Sequence, residues 1–254
     1  MHTIFITGGA TGIGAASVRK FIAEGWNVGF MDLNSDEAKK LLASIRDHSH
    51  RLLFIEGNTR SRDDIHRAVE STLKAFGKID SVFANAGIHR KNTLLDISDE
   101  ELDLVIQTNI YGSVNTLREV VPHIIEAGGG SVVINASDQV FIGKAASFAY
   151  GLTKGALGQI TKSLSIDLGK YGVRVNAVCP GTVRTPLVDA IFDKVSARTG
   201  ESVHALWAEE NALFARGRVG EPEEIAEMVF FLASPKSSFC TGSLFLADGG
   251  LVAQ

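Results

Sequence analysis

The sequence predicts a doubly wound α/β fold, a single domain in which a seven-stranded parallel sheet lies between two helix layers. Two observations carry that expectation. Short apolar runs alternate with longer amphipathic stretches along nearly the whole chain, and such alternation means a buried parallel sheet joined by right-handed helical crossovers. No Pro/Ser-rich linker, charge block or low-complexity tract divides the 254 residues, so residues 1–254 read as one domain.

The first strand is Ile4-Phe5-Ile6, and a glycine turn then leads into a helical pattern over 12–24. Asn27-Val28-Gly29-Phe30-Met31 follows as the second strand and 35–47 as the second helix. Leu52-Leu53-Phe54-Ile55 and the helix 62–76 make the third pair. Ser81-Val82-Phe83-Ala84 precedes a long helical stretch over 99–126, and Val132-Val133-Ile134 precedes another over 148–170. Val173 to Val178, a helix at 222–233 and Leu244-Phe245-Leu246 complete the alternation.

Composition narrows the function. With 45% hydrophobic residues and mixed charges the chain buries a full core. A net charge of −4, with only short basic clusters such as His89-Arg90-Lys91, argues against a nucleic-acid partner. No run of 18 apolar residues suits a membrane span, and the first strand begins by residue 4, so a soluble cytoplasmic protein is expected. Cys179 and Cys240 have neither metal nor disulfide-framework spacing and read as inert thiols; no metal site is expected.

The most informative segment is Thr7-Gly8-Gly9-Ala10-Thr11-Gly12-Ile13-Gly14, between the first strand and the first helix. Glycines let backbone approach a pyrophosphate, and a helix N-terminus offers free N–H groups and a positive dipole end. A nucleotide is therefore expected. The second strand ends in Asp32, about 20 residues on, placed to accept hydrogen bonds from an adenosine ribose and to repel a 2′-phosphate. No Arg or Lys occurs in the glycine loop, which predicts NAD over NADP.

In doubly wound sheets ligands bind beyond the carboxyl ends of the strands. The residues there are the glycine loop, Asp32, Asn58, Asn85-Ala86-Gly87, Ser137 and Pro180-Gly181, most of them small or polar. Turns also prefer these types, which explains any one of them more easily than the set. On the helix beginning near Phe148, Tyr150 and Lys154 share a face one turn apart. Such a pair suits an ordinary helix surface, but in a desolvated cleft the ammonium would lower the phenol pKa and make Tyr150 a general acid or base.

Taken together, the chain resembles the short-chain dehydrogenase/reductase family over essentially its whole length. The resemblance rests on Thr7 to Gly14, Asn85-Ala86-Gly87, Asn109-Ile110-Tyr111-Gly112, Ser137, Tyr150-Gly151-Leu152-Thr153-Lys154, Pro180-Gly181 and Asp248-Gly249-Gly250. It implies hydride transfer between a nicotinamide and an alcohol or ketone. Tyr150 would then exchange the proton with the substrate oxygen, and Lys154 would lower the Tyr150 pKa and bond the nicotinamide ribose. Ser137 would hold the substrate oxygen, and Asn109 would anchor a water linking Lys154 to solvent.

For the cofactor, the resemblance puts Gly8, Gly12, Ile13 and Gly14 around the pyrophosphate, Asp32 on the ribose and Asn58 at the adenine edge. Asn85, Ala86 and Gly87 would form the floor, with Pro180, Gly181, Val183 and Thr185 toward the nicotinamide amide. The family more often has Asp at the position of Asn58, so adenine contact would run through the amide oxygen. The family also implies a homodimer or homotetramer. Gly151, Gly155 and Gly158, at i, i+4, i+7 on the catalytic helix, suit either a partner subunit or close packing on the chain's own sheet.

Residues 182–219 read as a substrate lid carrying Arg184, His204, Trp207, Phe214, Arg216 and Arg218, with the arginines either meeting an anionic group or lying on the surface. Asp138 and Gln139, directly after Ser137, offer acceptors for hydroxyl groups. The expected substrate is therefore a small polyhydroxy compound such as a sugar, polyol or hydroxy acid, bound by Ser137, Asp138, Gln139 and Tyr150. Two alternatives stay open, a 3-oxoacyl thioester reductase and a catalytically silent NAD-binding scaffold.

Overall fold

The computed structural model describes residues 1–253. Strands β1 (Thr3–Thr7), β2 (Asn27–Asp32), β3 (Leu52–Glu56), β4 (Ser81–Ala84), β5 (Gly130–Asn135), β6 (Val173–Pro180) and β7 (Leu244–Ala247) form one sheet in the order β3-β2-β1-β4-β5-β6-β7. Every pairing is parallel. The order reverses direction between β1 and β4, the crevice where such sheets take ligands.

The two-residue period of the strands divides the core. On one face Ile4, Ile6, Val28 and Phe30 pack with Phe21 and Ile22 of α1 (Gly12–Ala23) and Val229 and Phe230 of a late helix, Pro222–Ala233. On the other face Phe5, Val82, Val132 and Ile134 meet Val69 of Arg62–Phe76, Val120 of Gly112–Glu126 and Leu157 of Phe148–Gly169. Most of these strand residues have no exposure at all, as a sheet covered on both faces demands.

In chain order the remaining helices are α2 (Ser35–Ser44), α3 (Arg62–Phe76), α4 (Asp99–Ile106), α5 (Gly112–Glu126), α6 (Phe148–Gly169), α7 (Pro186–Thr199), α8 (Val203–Ala212) and α9 (Pro222–Ala233). Their starts follow local chemistry. Asn34, Ser61 and Ser98 each accept a backbone N–H from the first turn of α2, α3 and α4, at 3.1, 3.2 and 3.2 Å. Helix α3 ends at Gly77, whose φ of +81° is the left-handed cap glycine permits.

Two details differ from the sequence pattern. The stretch expected as one helix over 99–126 is broken by a π turn at Gln107–Tyr111, and residues 182–219 contain two helices that periodicity did not resolve. Those helices, α7 and α8, enclose a small apolar cluster of Phe192, Trp207, Phe214 and Val219. The apolar spacing there serves this local cluster and not the sheet, so it lacks the long stripe by which the other helices were read.

Candidate active site

The carboxyl ends of the strands open onto a cavity of about 840 Å³. At its floor the glycine loop leaves β1. Gly8 and Gly12 have φ of +65° and +51°, and a Cβ on Gly14 would collide with the Gly8 carbonyl, so this path admits only glycine at those positions. Thr11 precedes α1 without capping it through its side chain. The first-turn N–H groups are thus left for an anion, and Gly8, Gly12, Ile13 and Gly14 line the cavity.

Asp32, at the end of β2, lines the same cavity. Its carboxylate accepts the Ala10 and Asn34 N–H groups, each at 2.9 Å, which binds the glycine loop to the second strand. Asn58 also lines the cavity, but its amide oxygen, the atom expected to meet an adenine, accepts the Arg60 N–H at 3.0 Å. The side chain closes its own turn, and that oxygen is shared from the start.

Asn85 holds three strand ends together. Its Nδ2 donates to the Thr7 and Gly8 carbonyls at 3.0 and 2.9 Å, and its Oδ1 accepts from Asn135 Nδ2 at 2.8 Å. Ala86 and Gly87 continue this floor, while Pro180, Gly181, Val183 and Thr185 line the far side.

Helix α6 brings Tyr150 and Lys154 to the cavity wall one turn apart. Lys154 is buried; its Nζ donates to the Asn135 carbonyl at 2.6 Å and stands 5.3 Å from the centre of the Tyr150 ring. Burial lowers its pKa to about 8. The Tyr150 phenol is pushed upward, first by burial and then by the Asp138 charge, against a smaller opposing effect of the Ser137 hydroxyl within hydrogen-bonding reach. The direction is opposite to the expected lowering: burial outweighs any help from Lys154, whose Nζ is held on the Asn135 carbonyl.

Ser137 caps the short turn Asp138–Val140 by accepting the Gln139 N–H at 3.2 Å, and its own hydroxyl donates to Asp138 Oδ1 at 2.7 Å. Asp138 is 1% exposed, and its other oxygen meets Lys144 Nζ at 2.9 Å. Asp138 lines the cavity, and its carboxylate is engaged with Ser137 and Lys144. Gln139 lines the cavity, with its Oε1 above Gly151.

Asn109 is fully buried behind the cavity, positioned by the π turn. Its Oδ1 accepts the Ile88 N–H at 2.8 Å, and its Nδ2 donates to the Ile88 carbonyl and Thr153 Oγ1, each at 3.0 Å. These bonds join the loop after β4 to α6.

His89 escaped the sequence reading. Its ring lies 4.3 Å from that of Tyr150, centre to centre, and Nε2 is 3.2 Å from Ser147 Oγ. Burial, with Lys91, Lys144, Lys154 and Arg90 nearby, holds its pKa down at about 4, so the ring is neutral near pH 7. Its position two residues after Asn85-Ala86-Gly87, at the end of a strand, was the available signal. Asn135 and Thr153, which hold Lys154 and Asn109, had no distinguishing sequence mark.

The arginines of 182–219 do not line the cavity. Arg184 stacks over Trp207 at 4.2 Å and pairs with Asp189, and Arg218 pairs with Glu224. Of the three helix glycines, Gly158 packs under Val140 and Gly151 under Gln139, whereas a Cβ on Gly155 would meet nothing within 4 Å. Both cysteines are free thiols. Among the described residues no helix is long and apolar enough to cross a membrane, and no three His, Cys, Asp or Glu side chains gather as a metal site.

Comparison with known proteins bears on this geometry. A family model described as Enoyl-(Acyl carrier protein) reductase matches residues 8–252. The chain belongs to the short-chain dehydrogenase/reductase family. Among its relatives in that family, oxidoreductase UcpA of Salmonella typhimurium is 35% identical over 249 residues, covering 98% of this chain and 93% of the relative. A 3-alpha-(or 20-beta)-hydroxysteroid dehydrogenase of Mycobacterium bovis is 34% identical, covering 98% and 88%.

Two solved members of the family superpose on this fold. A short chain dehydrogenase family protein of Francisella tularensis matches with a TM-score of 0.89 and 37% identity, covering both chains completely. The ligand-free aldohexose dehydrogenase of Thermoplasma acidophilum matches with a TM-score of 0.89 and 28% identity, covering 100% of this chain and 94% of that one. The protein is thus a short-chain oxidoreductase, of a family that uses NAD(P) on small-molecule substrates.

Proposed function

We propose that the protein is an NAD-dependent dehydrogenase acting on a small polyhydroxy compound, a sugar, polyol or hydroxy acid. The observation that carries this reading is the wall of the cavity. Tyr150, Ser137 and Lys154 meet there beside His89 and Gln139, with Asn109 braced behind them. Bound nicotinamide would supply the hydride acceptor or donor, and the glycine cradle with the uncapped α1 terminus suits its pyrophosphate.

In alcohol oxidation Tyr150 takes the substrate hydroxyl proton, and in reduction it returns a proton to the carbonyl oxygen. Lys154, held by the Asn135 carbonyl, keeps a cation beside the phenol and within reach of a ribose. Ser137 orients the substrate oxygen. His89 and Gln139 present polar groups around the rest of the substrate, which suits neighbouring hydroxyls better than an aliphatic chain. The cytoplasm suits such a protein, and a homodimer or homotetramer would cover Gly155 together with the exposed Tyr111 and Leu152.

NAD preference rests on Asp32, whose carboxylate faces the cavity and would repel a 2′-phosphate. Arg60 also lines the cavity, beside Asn58, and is the cation that would favour NADP instead. A second reading is reduction of 3-oxoacyl thioesters; the description of the matching family model shares with it an acyl-carrier thioester, although an enoyl group is reduced at a C=C bond and not at a carbonyl. Titration with NADH and NADPH, followed by a panel of sugars, polyols, hydroxy acids and acyl thioesters, tests both. Tighter NADH binding with polyol or sugar turnover supports the first reading. NADPH preference with thioester reduction replaces it with the second, and cofactor binding without any turnover points to a silent scaffold.

A further inference from the structure

We propose that Asp138 is a positioning residue whose carboxylate, clamped by Lys144, accepts the hydrogen bond of the Ser137 hydroxyl and so presents the Ser137 oxygen to Tyr150 and the substrate as an acceptor. The inference rests on the catalytic reading of Ser137 and Tyr150 and adds a residue that this reading does not include.

The geometry is specific. Ser137 Oγ donates to Asp138 Oδ1 at 2.7 Å, a short bond to a carboxylate that is 1% exposed. The other carboxylate oxygen has no aligned hydrogen bond but an ion pair, 2.9 Å from Lys144 Nζ. An aspartate at the start of a short turn ordinarily accepts a nearby backbone N–H. Here Ser137 does that for Gln139, and both Asp138 oxygens are directed at side chains of the site. The segment carrying Lys144 is fixed in turn by Asn92, whose N–H donates to the Ala146 carbonyl at 3.0 Å and whose carbonyl accepts the Phe148 N–H at 3.2 Å.

A buried carboxylate beside a centre that develops negative charge is destabilising unless paired, so its presence calls for a role. With its O–H donated to Asp138 and one lone pair accepting the Gln139 N–H, Ser137 has a lone pair left for the Tyr150 O–H or a substrate hydroxyl. An alcohol is received well by such a serine. A ketone oxygen, which needs a donor, is received only after the Ser137 O–H turns away from Asp138.

The charge has a second consequence. Tyr150 is faced by Lys154 on α6, by His89 from the loop after β4 and by Asp138 from the segment after β5; Arg90, Lys91 and Lys144 lie around His89, Lys144 also pairs with Asp138, and Cys179 of β6 lies near Lys154 and Asp138. Burial pushes the Cys179 thiol up to about 12, so it is neutral, and Asp138 is the carboxylate that opposes the Tyr150 phenolate. Removing the Asp138 charge should ease Tyr150 ionisation, and removing its Lys144 counter-charge should hinder it.

The test is a pH titration of tyrosine-labelled protein saturated with NAD+, following the Tyr150 ring carbon by NMR and assigning it by its loss in Tyr150→Phe. Asp138→Asn should titrate about one unit below wild type and Lys144→Met above it, the spacing expected for charges this close. Shifts of opposite sign support the proposal. Identical titrations, or shifts of one sign, overturn it. If Asp138→Asn fails to fold, Lys144→Met, altered at a partly exposed lysine, decides alone: an upward shift supports the proposal and no shift overturns it. Failure of the catalytic reading itself is seen separately, as full turnover by Tyr150→Phe.

Discussion

In the cavity floor, Asn85 alone bonds Thr7, Gly8 and Asn135 and so joins the ends of β1, β4 and β5. Residues 182–219, over the same cavity, are held differently: Phe192, Trp207, Phe214 and Val219 pack on one another, and the ends of the segment are tied by backbone bonds between Thr182, Arg184 and Gly220. A polar network works only with particular side chains at particular places, since each unsatisfied partner would cost about 1–3 kcal/mol. An apolar cluster accepts many residues of similar volume. The floor is therefore restricted in residue type, whereas the segment above it tolerates replacement of its side chains.

The comparison can be broken most sharply at the chemistry the floor supports. Tyr150→Phe should lower kcat/KM about 10²–10⁴-fold, while NADH still binds with the intrinsic change in fluorescence. Turnover near the wild-type value would remove Tyr150 from the reaction. Next in size, Trp207→Ala should cost about 3 kcal/mol within its own cluster, seen as faster hydrogen exchange in α7 and α8 with unchanged protection in β1 and β4. If the strands lose protection equally, the two regions are one cooperative unit and the distinction fails. Gly14→Ala, forcing a Cβ against the Gly8 carbonyl, should behave oppositely, costing about 1–3 kcal/mol of global stability and most of the NADH affinity.

The same contrast explains what was legible in the sequence. All seven strands follow from apolar runs, because a sheet covered on both faces admits few polar residues, and those inside β6, Arg174 and Asn176, are hydrogen-bonded to Leu232, Ser234, Ser237 and Cys240. The glycine loop and Asp32 stood out because positive φ, close backbone approach and a strand-end carboxylate restrict the residue type. The engagement of Asp138 with Lys144, six residues on, depends on how one loop folds back, and the stacking of His89 on Tyr150 on how two segments meet. Neither leaves a periodic or compositional trace. Helices α7 and α8 were missed for a related reason, since their apolar residues answer to a cluster of four and not to the sheet.

The last expected effect is read through pH at His89, beside Tyr150. His89 is held neutral with a pKa of about 4 against an ordinary 6.5. Between those values the unfolded chain binds a proton that the folded one refuses, so stability falls as pH drops through that window. His89→Phe should flatten this part of the acid limb in melting temperatures measured from pH 7 to about pH 4. An unchanged slope would mean that the ring is freely protonated in the fold and does not rest against Tyr150.

The π turn at Gln107–Tyr111 ties Asn109 to chain length as much as to residue type. A π turn is an α-helix carrying one surplus residue, and each residue of a regular helix turns its neighbour by about 100°. Loss of a single residue between α4 and α5 would restore an unbroken helix and swing Asn109 away from Ile88 and Thr153, with every catalytic side chain still in the sequence. Inspection of residue types alone would miss such a change, and only the count of residues between Ser98 and Gly112 would show it.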